Sequence, residues 1–140
     1  MAIWRRECSA EELNVQMRNT LAETLDIRIE EVGDDFIAGS MVVDKRTHQP
    51  YGILHGGASV ALAETLGSVA ASMCCAPGFG CVGLDINANH IRAVTTGRVY
   101  GKATAAHVGR TTQVWEITLE NEEGKKVCVS RLTMAVIPRP

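Results

Sequence analysis

The chain has 140 residues, 46% hydrophobic and 21% charged, with a formal net charge of −2. These values describe one globular domain spanning 1–140 and argue against disorder, a fibre or a membrane span. Fourteen basic residues against sixteen acidic ones supply no global positive field, so neither nucleic acid nor an anionic membrane is an expected partner.

The first predicted element is "SAEELNVQMRNTLAETL". It opens on Ser9 with Glu12 three residues later, the spacing of a capping box, and Leu13, Met17 and Leu21 follow at helical spacing. One N-terminal amphipathic helix is expected. The runs "DIRIEEV" and "FIAGSMVV", divided by "GDD", predict a hairpin. A long apolar helix comes next, within "HQPYGILHGGASVALAETLGSVAAS". Four further strand-like runs follow: "CVGLDINANHI", "RVYGKATAAHV", "TTQVWEITLEN" and "KVCVSRLTMAVI". They are broken near Thr95 to Gly97, at Val108-Gly109 and at "NEEG". Because the strands are segregated and do not alternate with helices, the expected class is α+β, an antiparallel sheet packed on one long central helix.

At 100° per residue the long helix places Leu62, Leu66, Val69 and Met73 on one face. Gly57, Ala61, Glu64, Gly67, Ser68 and Ala71 fall on the other, a stripe of small residues that admits a second backbone. Glu64 is the only charged residue between His55 and Asp85. A lone carboxylate on an apolar helix is either a hydrogen-bonded structural group or an acid or base tuned for chemistry. The preceding "LHGGAS" favours chemistry. His55, Gly56 and Gly57 stand at the helix start, where free N–H groups and the positive dipole end can polarise a carbonyl. This is no P-loop, lacking its lysine, and no serine-hydrolase elbow, since "GASVA" lacks the second glycine.

The five cysteines form no C-x-x-C pair, and His48, His55, His90 and His107 show no metal-ligand spacing. No metal, zinc site or disulfide framework is expected, and a reducing, cytoplasmic setting fits. The run "MAIWRRECSAEEL" has no apolar segment of the secretory kind.

The stretches "RTHQPYGILHGGASVALAETLGSVA", "VGLDINANHIR" and "GRTTQVWEI" together resemble the hotdog-fold acyl-CoA thioesterases. The likeness is greatest to the bacterial branch of aryl-CoA and aryl-carrier-protein hydrolases, and it covers nearly the whole chain. It implies a hotdog fold and hydrolysis of acyl-CoA or acyl-carrier-protein thioesters, with aromatic acyl groups favoured. No separate cofactor is implied, because coenzyme A is part of the substrate. The resemblance makes Glu64 nucleophile or general base and gives the Gly56 N–H to the thioester oxygen. Gln49 and His55 would position thioester and water, with Ser68 assisting the water. Gly83 would lie near the thioester arm, and His90, Arg92 and Arg110 would meet pantetheine and nucleotide. Tyr51 departs from the phenylalanine usual in relatives. A hydratase or dehydratase of the same fold and a non-catalytic acyl-CoA binding module are the alternatives.

One consequence follows from helix geometry. Gly57 and Glu64 are seven residues apart, about 10 Å of axial rise, so a glutamate cannot easily return to its own helix start. A two-fold partner packed on the small stripe would bring its Glu64 opposite Gly56 and His55. A homodimer is therefore the expected minimum active unit; a homotetramer is the larger assembly that the resemblance implies, and the geometry leaves dimer and tetramer both open.

Overall fold

The computed structural model describes residues 1–139. Its elements are α1 (Ala10–Gln16), α2 (Leu21–Thr24), β1 (Arg28–Val32), β2 (Phe36–Val43), α3 (Gly56–Met73), β3 (Phe79–His90), β4 (Gly97–Val108), β5 (Thr112–Glu120) and β6 (Lys126–Pro138). The six strands form one sheet in the order β1-β2-β4-β5-β6-β3, and every pairing is antiparallel. The α+β architecture expected from the strand order is the one observed. No helix among the described residues is long and apolar enough to cross a membrane.

Period-two patterning aims one face of the sheet at α3. On β5, Gln113, Trp115, Ile117 and Leu119 are buried while the residues between them are not, as a half-buried strand requires. Leu62, Leu66 and Met73 of α3 are fully buried against Ile37, Met41, Ile117, Leu132 and Met134. Each such side chain contributes about 1.5–3 kcal/mol by leaving water.

The far end of α3 is tied down by the N-terminal segment. Arg5 and Arg6 N–H groups donate to the Met73 carbonyl at 2.9 and 3.1 Å, supplying partners for a helix end that has none of its own. Trp4 Nε1 donates to the Gly33 carbonyl at 2.8 Å, and its ring stacks on buried Trp115 with centroids 6.2 Å apart. Trp115 Nε1 donates to Gln113 Oε1, and Gln113 Nε2 donates to the Ala71 carbonyl. The buried Gln113 side-chain amide thus closes a polar chain onto the helix.

Two expectations are corrected. The N-terminal helix is not continuous: the Ser9 capping box forms, but α1 stops at Gln16. Asn19 has a positive φ of 62°, Thr20 is extended, and α2 is a single turn in which Leu21 is 63% exposed. Asparagine tolerates the left-handed region where most residues do not, and this breaks the stripe between Met17 and Leu21. On α3, Gly67 and Ala71 do not face outward with Glu64. Both are buried, and a Cβ at Gly67 would lie 2.6 Å from Leu132 Cδ2. The concave sheet grips more than one bulky stripe, so smallness here admits the protein's own β6. Val69, placed on the bulky face, is only half-buried. Gly67→Val should therefore destabilise the fold by about 2 kcal/mol through overpacking, read as a lower urea midpoint with an unchanged slope.

Candidate active site

The loop between β2 and α3 is organised around Thr47, which is buried. Its Oγ1 donates to the Val42 carbonyl at 3.0 Å, and its own carbonyl accepts the His55 N–H at 2.7 Å. The Gln49 N–H meets the Ile53 carbonyl at 2.9 Å, the Gly52 N–H meets the Gln49 carbonyl at 2.8 Å, and the Leu54 N–H meets Val94 at 2.8 Å. These bonds fix where Gln49 and His55 stand relative to β3 and β4. The Tyr51 N–H donates to Gln49 Oε1. Gln49 Nε2 is thereby left without a partner among the described residues. Tyr51 itself is 89% exposed.

His55 is the N-cap of α3, and its Nδ1 accepts the Gly57 N–H at 2.8 Å. With Nδ1 an acceptor, the proton of the neutral ring is on Nε2, turned outward as a donor. The Ala58 and Ser59 N–H groups both reach the His55 carbonyl. Only the Gly56 N–H at this helix start has no partner among the described residues, and it sits where the helix dipole is most positive.

His90, the last residue of β3, covers this glycine. A Cβ on Gly56 would lie 2.9 Å from His90 Nε2, so any larger residue would displace the ring. Gln49, Gly56, His90 and Arg92 line one cavity of about 330 Å³ with Ile53, Leu54 and Val127. Four of the nine residues singled out in the sequence are thus brought together directly, and His55 caps the same helix start.

Glu64, Ser68 and Gly83 form a second group. The half-exposed Glu64 carboxylate has no hydrogen-bond partner among the described residues, and it lies over β3 where a Cβ on Gly83 would be 2.7 Å from Oε2. Ser68, one turn on, has its Oγ 3.9 Å from Met134 Sδ. Met134 is the register partner of Gly83, next to a bulge between Gly83 and Asp85. Glu64 lies eight positions after Gly56 on α3, about 12 Å of axial rise. Within one chain the carboxylate group and the free N–H are separate. Gly83→Ala should push the carboxylate aside and lower turnover by about tenfold or more while leaving the melting temperature nearly unchanged, as paired kinetic and thermal measurements would report.

Arg110 joins neither group. It lines a different cavity, of about 310 Å³, with Arg5, Cys75, Phe79, Gln113 and Val136 at the C-terminal end of α3. Sequence reasoning missed two features: the anchoring by Thr47, and the packing of His90 on Gly56. The first had no sequence signal beyond a threonine in a turn-forming stretch. The second depends on how β3 crosses α3. No group of three or more His, Cys, Asp or Glu side chains among the described residues is arranged to hold a metal ion.

The profile of the thioesterase superfamily matches residues 51–128. The chain belongs to that superfamily. The thioesterase is 47% identical over 135 residues to 1,4-dihydroxy-2-naphthoyl-CoA hydrolase of Escherichia coli, covering 96% of this chain and 99% of that protein. It is 48% identical over 135 residues to the proofreading thioesterase EntH of Cronobacter turicensis, covering 96% and 98%. The solved structure of a thioesterase from Haemophilus influenzae superposes with a TM-score of 0.95 at 50% identity, covering 97% of this chain and 95% of that one. The thioesterase is accordingly a hydrolase with the hotdog fold, its antiparallel sheet wrapped around α3.

Proposed function

We propose that the enzyme hydrolyses acyl-CoA or acyl-carrier-protein thioesters carrying aromatic acyl groups, at a site shared between two chains. The observation that carries this reading is the pair of unpartnered groups on α3: the Gly56 N–H at the helix start and the Glu64 carboxylate about 12 Å further on. A thioester needs one of each, a donor for the carbonyl oxygen and a base or nucleophile for the carbon. The thioester oxygen accepts the Gly56 N–H, while Gln49 and His55 Nε2 position substrate and water. Glu64 of the second chain, with Ser68 beside it, either takes a proton from the attacking water or attacks the carbonyl carbon itself. In the first route the C–S bond breaks and the thiolate takes from Glu64 the proton that water gave up. In the second the C–S bond breaks to leave an acyl–Glu64 anhydride. Water then attacks its acyl carbon, releasing the Glu64 carboxylate, supplying the hydroxyl of the product acid and giving its other proton to the thiolate.

A second chain also has a place to pack. β3 is a sheet edge, with no strand among the described residues on its outer side, and Val82 and Leu84 on it are 48% and 61% exposed. Natural proteins seldom leave such an edge bare. β3 also carries Gly83 and His90, so a partner there would adjoin both halves of the site. The name of the Escherichia coli relative supports an aromatic CoA thioester as substrate.

The test is a panel of aromatic and aliphatic thioesters, CoA-borne and carrier-borne, assayed for free thiol release. Fastest release from an aromatic thioester supports the reading, and a preference for aliphatic chains overturns the acyl assignment. Arg92 and Arg110 are assigned to the nucleotide end. Alanine at either should raise KM for a CoA thioester about tenfold, the value of one charge-assisted hydrogen bond, with a smaller effect on kcat. A truncated pantetheine thioester should be insensitive; equal damage with both substrates removes the arginine from the nucleotide site.

A further inference from the structure

Five cysteines are free, and only two have their sulfur atoms together: Cys75 Sγ and Cys81 Sγ are 3.0 Å apart. An S–S bond is about 2.03–2.05 Å long, so closure needs a movement of about 1 Å. The segment "CAPGFGC" supplies the geometry. Cys75 lies in the turn that leaves α3, and Cys81 is on β3 opposite Val136. Cys74, although adjacent in sequence, has its sulfur turned the other way, 3.9 Å from the Ile3 carbonyl.

The surroundings differ for the two thiols. Cys75 lines the cavity of about 310 Å³ that also contains Arg110, large enough for a small oxidant. Its sulfur faces Gln113 Nε2 at 3.9 Å, a donor for an oxygen placed on that sulfur. Burial, with Cys75 adjacent, pushes the Cys81 thiol up; Cys75 lines the cavity and Cys81 does not, so an oxidant held in the cavity meets Cys75 first.

We propose that Cys75 and Cys81 are a redox-active pair, a modification site for hydrogen peroxide that closes to an intramolecular disulfide. Cys75 sulfur attacks one peroxide oxygen, the O–O bond breaks, and the departing hydroxide takes the thiol proton to become water. This leaves Cys75 as a sulfenic acid. Cys81 sulfur then attacks Cys75 sulfur; the S–S bond forms, the S–O bond breaks, and the hydroxyl leaves as water with the Cys81 proton. Two thiols lose two electrons in total, and one peroxide is reduced to two waters.

The folded full-length protein is treated with hydrogen peroxide, quenched, alkylated and digested with chymotrypsin, which cuts after Phe79 and so separates Cys75 from Cys81. The expected product is the two fragments joined, two hydrogen masses lighter, and released by dithiothreitol. With dimedone present, Cys81→Ser should trap the sulfenic acid at Cys75 roughly tenfold more than wild type, because the resolving thiol is gone. Cys75→Ser should leave Cys81 reduced. A wild-type Cys75 that stays reduced while Cys8 oxidises overturns the proposal. So does one that accumulates as a dimedone adduct beside a free Cys81, or one that bridges to another cysteine. Because Cys74 and Cys75 share one fragment, tandem mass spectrometry of the joined wild-type fragments, which finds the alkyl group on Cys74 if Cys75 is bridged, decides the matter even where a variant folds poorly.

Discussion

Glu64→Gln is expected to lower kcat by at least about a hundredfold, the scale of a lost general base. The substitution keeps the size of the side chain, and the carboxylate has no hydrogen-bond partner among the described residues, so no bond seen there is lost. Melting temperature and KM should therefore change little, which separates a chemical defect from a folding one. Steady-state kinetics with a thioester from the panel, alongside thermal denaturation, make the measurement. Turnover near the wild-type rate in the glutamine variant would remove Glu64 from the chemistry and leave an unpartnered carboxylate on α3 without a role.

The second large effect is a recovery of activity. Glu64→Ala and His55→Ala should each be nearly inactive alone. Unfolded together and refolded as an equal mixture, they pair at random, so half the dimers are mixed. Each mixed dimer has one site with both residues intact and one with neither, and about a quarter of wild-type activity should return by that count. The separation of Gly56 from Glu64 along α3 motivates the experiment. A site completed within one chain gives no rescue, because every chain in the mixture is defective. Mixing the folded variants without denaturant serves as the control and should stay inactive. Absence of recovery, with wild-type protein refolding normally alongside, would refute the shared site.

The sheet was legible because its signal is local. Alternation in "TTQVWEITLEN" and the turn at "GDD" are properties of neighbouring residues, and β2 and β5 appear where those patterns lie. Glu64 was legible for a related reason, since one charge in a long apolar run is visible without knowledge of its surroundings. What failed depended on tertiary context. Leu21 continued the spacing of Leu13 and Met17, but the backbone turns at Asn19 before reaching it. Gly67 looked like part of an outward stripe because it is small, whereas its smallness makes room for Leu132. The His90 packing on Gly56 joins residues 34 positions apart, and no periodicity within either segment encodes it.

Both tryptophans of the chain are in one stacked pair, Trp4 on Trp115, and this gives the protein a built-in optical reporter of one region. Trp115 is hydrogen-bonded to Gln113, which lines the cavity containing Arg110, whereas Gln49, Gly56 and His90 surround a different cavity. Intrinsic emission should therefore respond to an occupant of the Arg110 cavity and be silent to one confined to the helix start. A CoA thioester whose nucleotide reaches Arg110 should shift the emission of the Glu64→Gln protein, and the truncated pantetheine thioester should leave it unchanged. The two ends of a single substrate would then be followed separately, one by thiol release and the other by light.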